Sequence, residues 1–192
     1  MKPVGILGGT FDPVHLGHLI TAQFVYEVRN LSKIIFIPNR VSPHKTDKVI
    51  SSALHRLKML NLAIKGIKHF EVSEIEINRE GISYTIDTLK ELKETYSDIE
   101  LIIGYDNLLE FSSWKDPDGI LDQAALVVMD RKIKAYPENP DKYFSSAIIL
   151  DTPQIEISAS DIRNRVKKNL PINFLVPQNV MEYISTQNLY KE

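Results

Sequence analysis

The sequence predicts an α/β protein in which a parallel sheet carries helices on both faces and a helical segment ends the chain. Three observations point there. Short runs rich in Val, Ile and Leu are apolar throughout instead of alternating, as strands covered on both faces are. Longer stretches between them carry apolar residues at helical spacing. The two signals alternate along the chain, which favours parallel strands joined by helical crossovers.

Val4–Leu7 is the first strand and Leu16–Val28 the first helix. Ile34–Ile37 is the next strand, and Leu54–Ile64 the next helix, with Leu54, Leu57, Leu60 and Ile64 assigned to its buried face. Phe70–Val72 follows as a strand, and Ile86–Tyr96 as a helix presenting Ile86, Leu89, Leu92 and Tyr96. Leu101–Ile103, Ala125–Met129 and Ala147–Leu150 complete the strands. From Ser158 onward only helix signals remain: Ala159–Lys168, a break at Pro171, then Pro177–Thr186 with Pro177 near a helix start. Pro38–Lys48 and Lys132–Tyr143 read as loops, the second as a variable surface segment. With no repeat and no low-complexity linker, the chain reads as one domain over 1–192, an α/β core over 1–157 and a helical part over 158–192. Ligands of such sheets bind beyond the carboxyl ends of the strands.

A domain of 192 residues buries roughly 70% of its unfolded surface and needs no staple. The absence of cysteine removes disulfides, thiolate nucleophiles and thiolate metal sites, and fits a reducing compartment. A net charge of −2 argues against a polyanion partner, so no nucleic acid is expected. The longest apolar run found, Ala124–Met129, is far short of the ~20 residues of a membrane span, and Met1-Lys2-Pro3 lacks the apolar core of a signal peptide. The expectation is therefore a cytoplasmic protein with no membrane partner. A homo-oligomer is left open.

Residues 8–18, Gly-Gly-Thr-Phe-Asp-Pro-Val-His-Leu-Gly-His, carry the most chemistry. A glycine turn between strand and helix presents backbone N–H groups where the helix dipole is positive, so Gly8, Gly9 and Thr10 read either as a phosphate cradle or as a plain tight turn. Pro13 occupies the place of the third glycine of the dinucleotide fingerprint, which rules that motif out. His15 and His18 lie one helical turn apart. They read as grips for phosphate oxygens, as a metal pair with Asp12 as third ligand, or as polar surface residues. Gly17, costly in a first helical turn, fits close approach of a ligand.

Further along, Lys45 in Pro43-His44-Lys45 is a flexible point charge able to reach a phosphate, or an ordinary solvated loop residue. Ser158 or Ser160 caps a helix from whose first turn Arg163 projects, which is either an ordinary cap or a second anion site. Trp114 sits among polar neighbours, an unusual setting for a core indole and a suitable one for stacking on a flat cationic ring. Gly104 and Asp106 fall at a strand's carboxyl end, where an acid can accept from ribose hydroxyls or support Mg²⁺.

Taken in order, Gly8–His18, Pro43-His44-Lys45, Ser83–Leu89, Gly104–Asn107, Trp114 and Ile157–Arg163 resemble the nucleotidylyltransferase superfamily and, within it, the bacterial nicotinate-nucleotide adenylyltransferases. The likeness runs to about Tyr183. Ser160 stands where the last motif usually has threonine, Ser42 where the loop usually has a first proline, and Tyr105 where a small residue is commoner. The resemblance implies a Rossmann-like, doubly wound fold and adenylyl transfer from ATP to nicotinate mononucleotide, giving deamido-NAD and pyrophosphate. Mg²⁺ would be carried mainly on the ATP phosphates, with no protein metal site. It implies His15, His18, Lys45 and Arg163 as catalytic residues. Gly8, Gly9, Thr10, Phe11, Gly104, Asp106, Ser158 and Ser160 would bind ATP, and Tyr84, Thr85, Trp114 and His44 the pyridine nucleotide.

The nucleophile of that reaction is a phosphate monoester, already anionic, so no general base is required. What is required is alignment of two anions and neutralisation of charge at the α-phosphate. Accordingly the motifs supply cations and helix N-termini, and no Ser-His-Asp arrangement or carboxylate pair. Donors from Thr85 and backbone amides would favour a carboxylate over a carboxamide. The competing readings are another transferase of the superfamily, acting on a pantetheine phosphate or a glycerol phosphate, a silent nucleotide sensor, and a metal-binding protein.

Overall fold

Burial on both faces marks the central strands, whereas the two edge strands are partly exposed. The computed structural model describes residues 2–41, 51–130 and 140–191. Along these, β1 is Val4–Gly9, α1 Leu16–Val28, β2 Lys33–Pro38, α2 Ala53–Ala63, β3 Phe70–Val72, α3 Ile75–Asn78, α4 Thr85–Lys93 and β4 Ile99–Gly104. Then come α5 Tyr105–Leu109, a 3₁₀ turn at Phe111–Ser113, α6 Pro117–Gln123, β5 Ala125–Asp130, α7 Lys142–Ser146, β6 Ile148–Asp151, α8 Ala159–Lys167 and α9 Gln178–Thr186.

The described strands form one sheet in the order β3-β2-β1-β4-β5-β6, with every pair parallel. Strand order reverses between β1 and β4, so the crevice at their carboxyl ends is where a ligand is expected. Alternate side chains divide into two cores. Leu7, Ile34 and Phe36 face a cluster containing Val25 of α1, Leu60 of α2, Ile162 of α8 and Val180 and Ile184 of α9. Ile6, Ile35 and Ile37 face the other, with Leu89 of α4, Leu108 of α5 and Ile120 of α6. The terminal helices therefore share an apolar cluster with the sheet. Arg29, just after α1, donates to both carboxylate oxygens of buried Glu100 in β4 at 2.7 and 3.0 Å, a two-pronged pair that ties the end of α1 to a central strand. No helix of the described residues is long and apolar enough to cross a membrane.

The predicted strands are all present, three of them extended by two or more residues. The helix over Leu54–Ile64 differs in its buried face. Leu54 is 71% exposed, and the buried stripe is Arg56, Met59, Leu60 and Ala63. The loop over Lys132–Tyr143 ends early, since Lys142 and Tyr143 open α7 and Tyr143 is buried.

Candidate active site

At the carboxyl ends of β1 and β4 lies a cavity of about 350 Å³, within the usual span of small-molecule sites. Gly8, Gly9 and Thr10 line one side, and Tyr84, Thr85, Ser113 and Trp114 the other. A Cβ at Gly8 would meet nothing within 4 Å, so that backbone is open to whatever enters. Gly9 has a different reason: a Cβ there would lie 2.9 Å from the Phe11 ring. Phe11 itself is buried, sits at φ +51°, and packs edge-on against Phe36 and His18, at 5.8 and 5.1 Å. A bulky residue in the left-handed region is strained, and its surroundings hold it there.

The loop delivers two stacked imidazoles to the start of α1. The rings of His15 and His18 lie 3.6 Å apart at 23°. The His15 backbone N–H donates to His18 Nδ1 at 3.2 Å, which makes that nitrogen the acceptor and leaves Nε2 as the N–H donor of the neutral ring. His15 is buried and His18 half-buried. Gly17 departs from the expectation of ligand approach: a Cβ there would stand 3.0 Å from His15 Nδ1, so the glycine clears room for the folded-back imidazole.

Arg163 reaches this loop from the other end of the chain. Its Nη1 donates to the Asp12 carbonyl at 2.7 Å and its Nη2 to Ser160 Oγ at 3.2 Å. Ser158 caps α8, its hydroxyl oxygen accepting from the Asp161 N–H at 3.0 Å. The first and last motifs thus meet on one backbone segment. Gly104 and Asp106 lie at the carboxyl end of β4 and the start of α5, with Asp106 exposed, but Asn107 lines the cavity where they do not. His44 and Lys45 lie outside the described residues.

On the cavity's far side, the α4 N-terminus aims its first turn inward, with Thr85 and Thr88 on the wall. Trp114 is half-buried and packs on Phe111 at 5.2 Å, and the Lys115 ammonium sits 4.4 Å over the Tyr84 ring. Glu76 is a buried acid on the same wall. Its Oε1 accepts from Thr88 Oγ1 at 2.8 Å, and Arg79 Nη1 donates to that hydroxyl at 3.0 Å. Burial pushes the Glu76 carboxyl above the usual range, against the pull of the Thr88 and Ser83 hydroxyls and of Arg79. Ser83 in turn accepts from the Arg40 N–H at 3.1 Å, joining this wall to the end of β2.

Arg56 escaped the sequence reading. It is fully buried, and its guanidinium donates to the carbonyls of Ser51, Thr10, Asn39 and Arg40 at 3.1, 2.8, 2.7 and 3.3 Å. Burial lowers its pKa, opposed by the charge of Asp12. Its spacing carries a signal: Arg56, Met59, Leu60 and Ala63 fall at i, i+3, i+4 and i+7, a tighter helical stripe than Leu54, Leu57, Leu60 and Ile64.

Residues 6–165 match the cytidylyltransferase-like family. A relative from Dictyoglomus turgidum is 43% identical, over 98% of this chain and 96% of its own. One from Clostridium botulinum is 41% identical over the whole of both chains. Both are named nicotinate-nucleotide adenylyltransferase. Among solved structures, the Plasmodium falciparum nicotinic acid mononucleotide adenylyltransferase complexed with NaAD superposes with a TM-score of 0.82 at 22% identity, over 99% of this chain and 98% of that one. At that identity the likeness is one of fold.

Proposed function

The chain belongs to the nicotinate-nucleotide adenylyltransferases of the cytidylyltransferase-like family, and from that premise we propose how its residues divide the work. Its reaction transfers the adenylyl group of ATP to nicotinate mononucleotide in NAD biosynthesis, giving deamido-NAD and pyrophosphate.

In our reading the substrate phosphate attacks the ATP α-phosphate directly. Gly8, Gly9, Thr10 and Phe11 carry the ATP phosphates with Ser158 and Ser160, and Gly104 and Asp106 serve the nucleoside end. His15, His18, Lys45 and Arg163 neutralise the transferring phosphoryl and the departing pyrophosphate. His18 Nε2 acts as an N–H donor, since Nδ1 is already an acceptor. The pyridine ring stacks on Trp114, and its carboxylate takes N–H and O–H donors from the α4 N-terminus with Thr85, beside Tyr84 and His44. Glu76 shares this wall, where its Oε1 accepts from the Thr88 hydroxyl.

Mg²⁺ fits as a passenger on ATP. The loop offers imidazoles, the Arg163 guanidinium and backbone N–H groups, suited to phosphate oxygens; its own carboxylate, Asp12, is buried and already accepts from Tyr190 and the Ser51 N–H, and Asp106 at the start of α5 is exposed. When bound, the ion supplies charge neutralisation on the phosphates. We also propose that 1–192 works as one domain, supported by the apolar cluster shared between sheet and terminal helices, and that it acts in the cytoplasm.

The observation that carries this division is the junction of the first and last motifs at Asp12, on a loop whose Gly8, Gly9 and Thr10 line a cavity with an indole wall. Pyrophosphate release with ATP tests it across pyridine mononucleotides. The acid is expected to exceed the amide in kcat/KM by at least tenfold, because a site of donors leaves the carboxamide NH₂ unpaired. Equal values for the two would refute the donor assignment.

A further inference from the structure

Tyr190 lies outside every motif described above, 178 residues beyond Asp12 in the chain. Its hydroxyl nevertheless donates to Asp12 Oδ1 at 2.6 Å. Asp12 is 1% exposed, and its other carboxylate oxygen accepts from the Ser51 N–H at 3.2 Å. The carbonyl of that same residue receives the Arg163 guanidinium at 2.7 Å. One buried residue therefore connects the phenol to the cation on its opposite side.

The tail is seated to make this contact. Asn188 and Tyr190 adopt φ of +52° and +65°, a region side-chain-bearing residues avoid unless their surroundings impose it. The Leu189 N–H donates to the Ile184 carbonyl at 3.0 Å, and Leu189 and Tyr190 pack against the core that holds Met59 and Ile184. We infer that Tyr190 is a positioning residue for adenylyl transfer: through the Asp12 carboxylate it fixes the carbonyl on which Arg163 is oriented.

The physical reason is the cost of leaving a buried carboxylate short of a donor. Without the phenol, the buried Asp12 carboxylate lacks one of its donors and the β1–α1 loop loses its tie to the chain's tail, so the segment carrying the Asp12 carbonyl is held less firmly. A displacement of about 1 Å in a group that aligns reactants can cost on the order of 10²-fold in rate. The inference rests on the role given above to Arg163, and the experiment separates the two. Tyr190→Phe, Arg163→Ala and the double variant are assayed for kcat and KM, with thermal melting of each. Tyr190→Phe is expected to lower kcat about tenfold or more while the KM for nicotinate mononucleotide stays within about twofold. In the Arg163→Ala background it is expected to cause no further loss, since the phenol acts only through the guanidinium.

Multiplying losses, or wild-type kcat in Tyr190→Phe, would overturn the inference. Loss in Arg163→Ala with none in Tyr190→Phe overturns it alone, whereas wild-type kcat in Arg163→Ala overturns the role of Arg163 and this inference together. If Tyr190→Phe melts below the assay temperature, Asp12→Asn, which keeps an oxygen for the phenol but removes the charge that holds it, is judged by the same criteria.

Discussion

Replacing Arg56 with leucine removes a guanidinium that is 0% exposed and bonded to four main-chain carbonyls, on Ser51, Thr10, Asn39 and Arg40. Each buried acceptor left without its donor costs about 1–3 kcal/mol. The carbonyls belong to half-buried Ser51, Thr10 and Asn39 and to exposed Arg40, so three at the low end give about 3 kcal/mol, and the Asp12 charge that faces Arg56 also loses its counterpart. Relief of the desolvation that lowers the Arg56 pKa works in the other direction. A net loss of about 3 kcal/mol is expected, which for a chain of this length lowers Tm by about 6–12 °C. Arg56→Lys should recover little, because an ammonium is a point charge and cannot span carbonyls that diverge around a planar fork. Circular dichroism melting and urea titration read both variants. A Tm within about 2 °C of wild type for Arg56→Leu would show that these carbonyls find other partners, and the reasoning would fail.

His18→Ala is expected to lower kcat by about 10²–10³, the effect of losing one donor to a developing anion, and steady-state assays showing a change in KM alone would remove His18 from catalysis. Glu76→Gln should alter the pH dependence of stability. Burial raises the folded-state pKa of Glu76 above its unfolded value, so the native state binds the extra proton between the two. That contribution is fully present below the unfolded pKa and is lost as pH rises through the folded one. Wild type should thus lose stability across the weakly acidic range relative to the glutamine variant, and parallel profiles in denaturant titrations would count against the assignment.

The sheet was legible because strands covered on both faces leave unbroken apolar runs, and Val4–Leu7 and Ala125–Met129 need no tertiary information to be read. The short helices were not. α6 depends on Asp116 at φ +53° accepting from the Gly119 N–H, and α7 on Asp141 accepting from Tyr143 and Phe144. Such caps are local geometry, invisible to periodicity. In the site, spacing placed His15 beside His18, and a cap pattern placed Arg163 in a first turn. It could not bring Arg163 to Asp12, because that contact is created by packing α8 beside the β1–α1 loop. Arg56 was passed over because a charged residue on an apolar stripe looks like an error in the stripe until its acceptors are seen. Glu76 and Tyr190 lay in no expected pattern, and their roles depend on partners far off in sequence.

Gly17 has a practical consequence for anyone stabilising this enzyme. Helical glycines are the first positions that consensus or propensity scans would change to alanine. Here the added methyl would press on the folded-back imidazole beside it. Any gain in helix propensity would be set against a displaced His15 ring, so a change at this position has to be judged by rate as well as by melting.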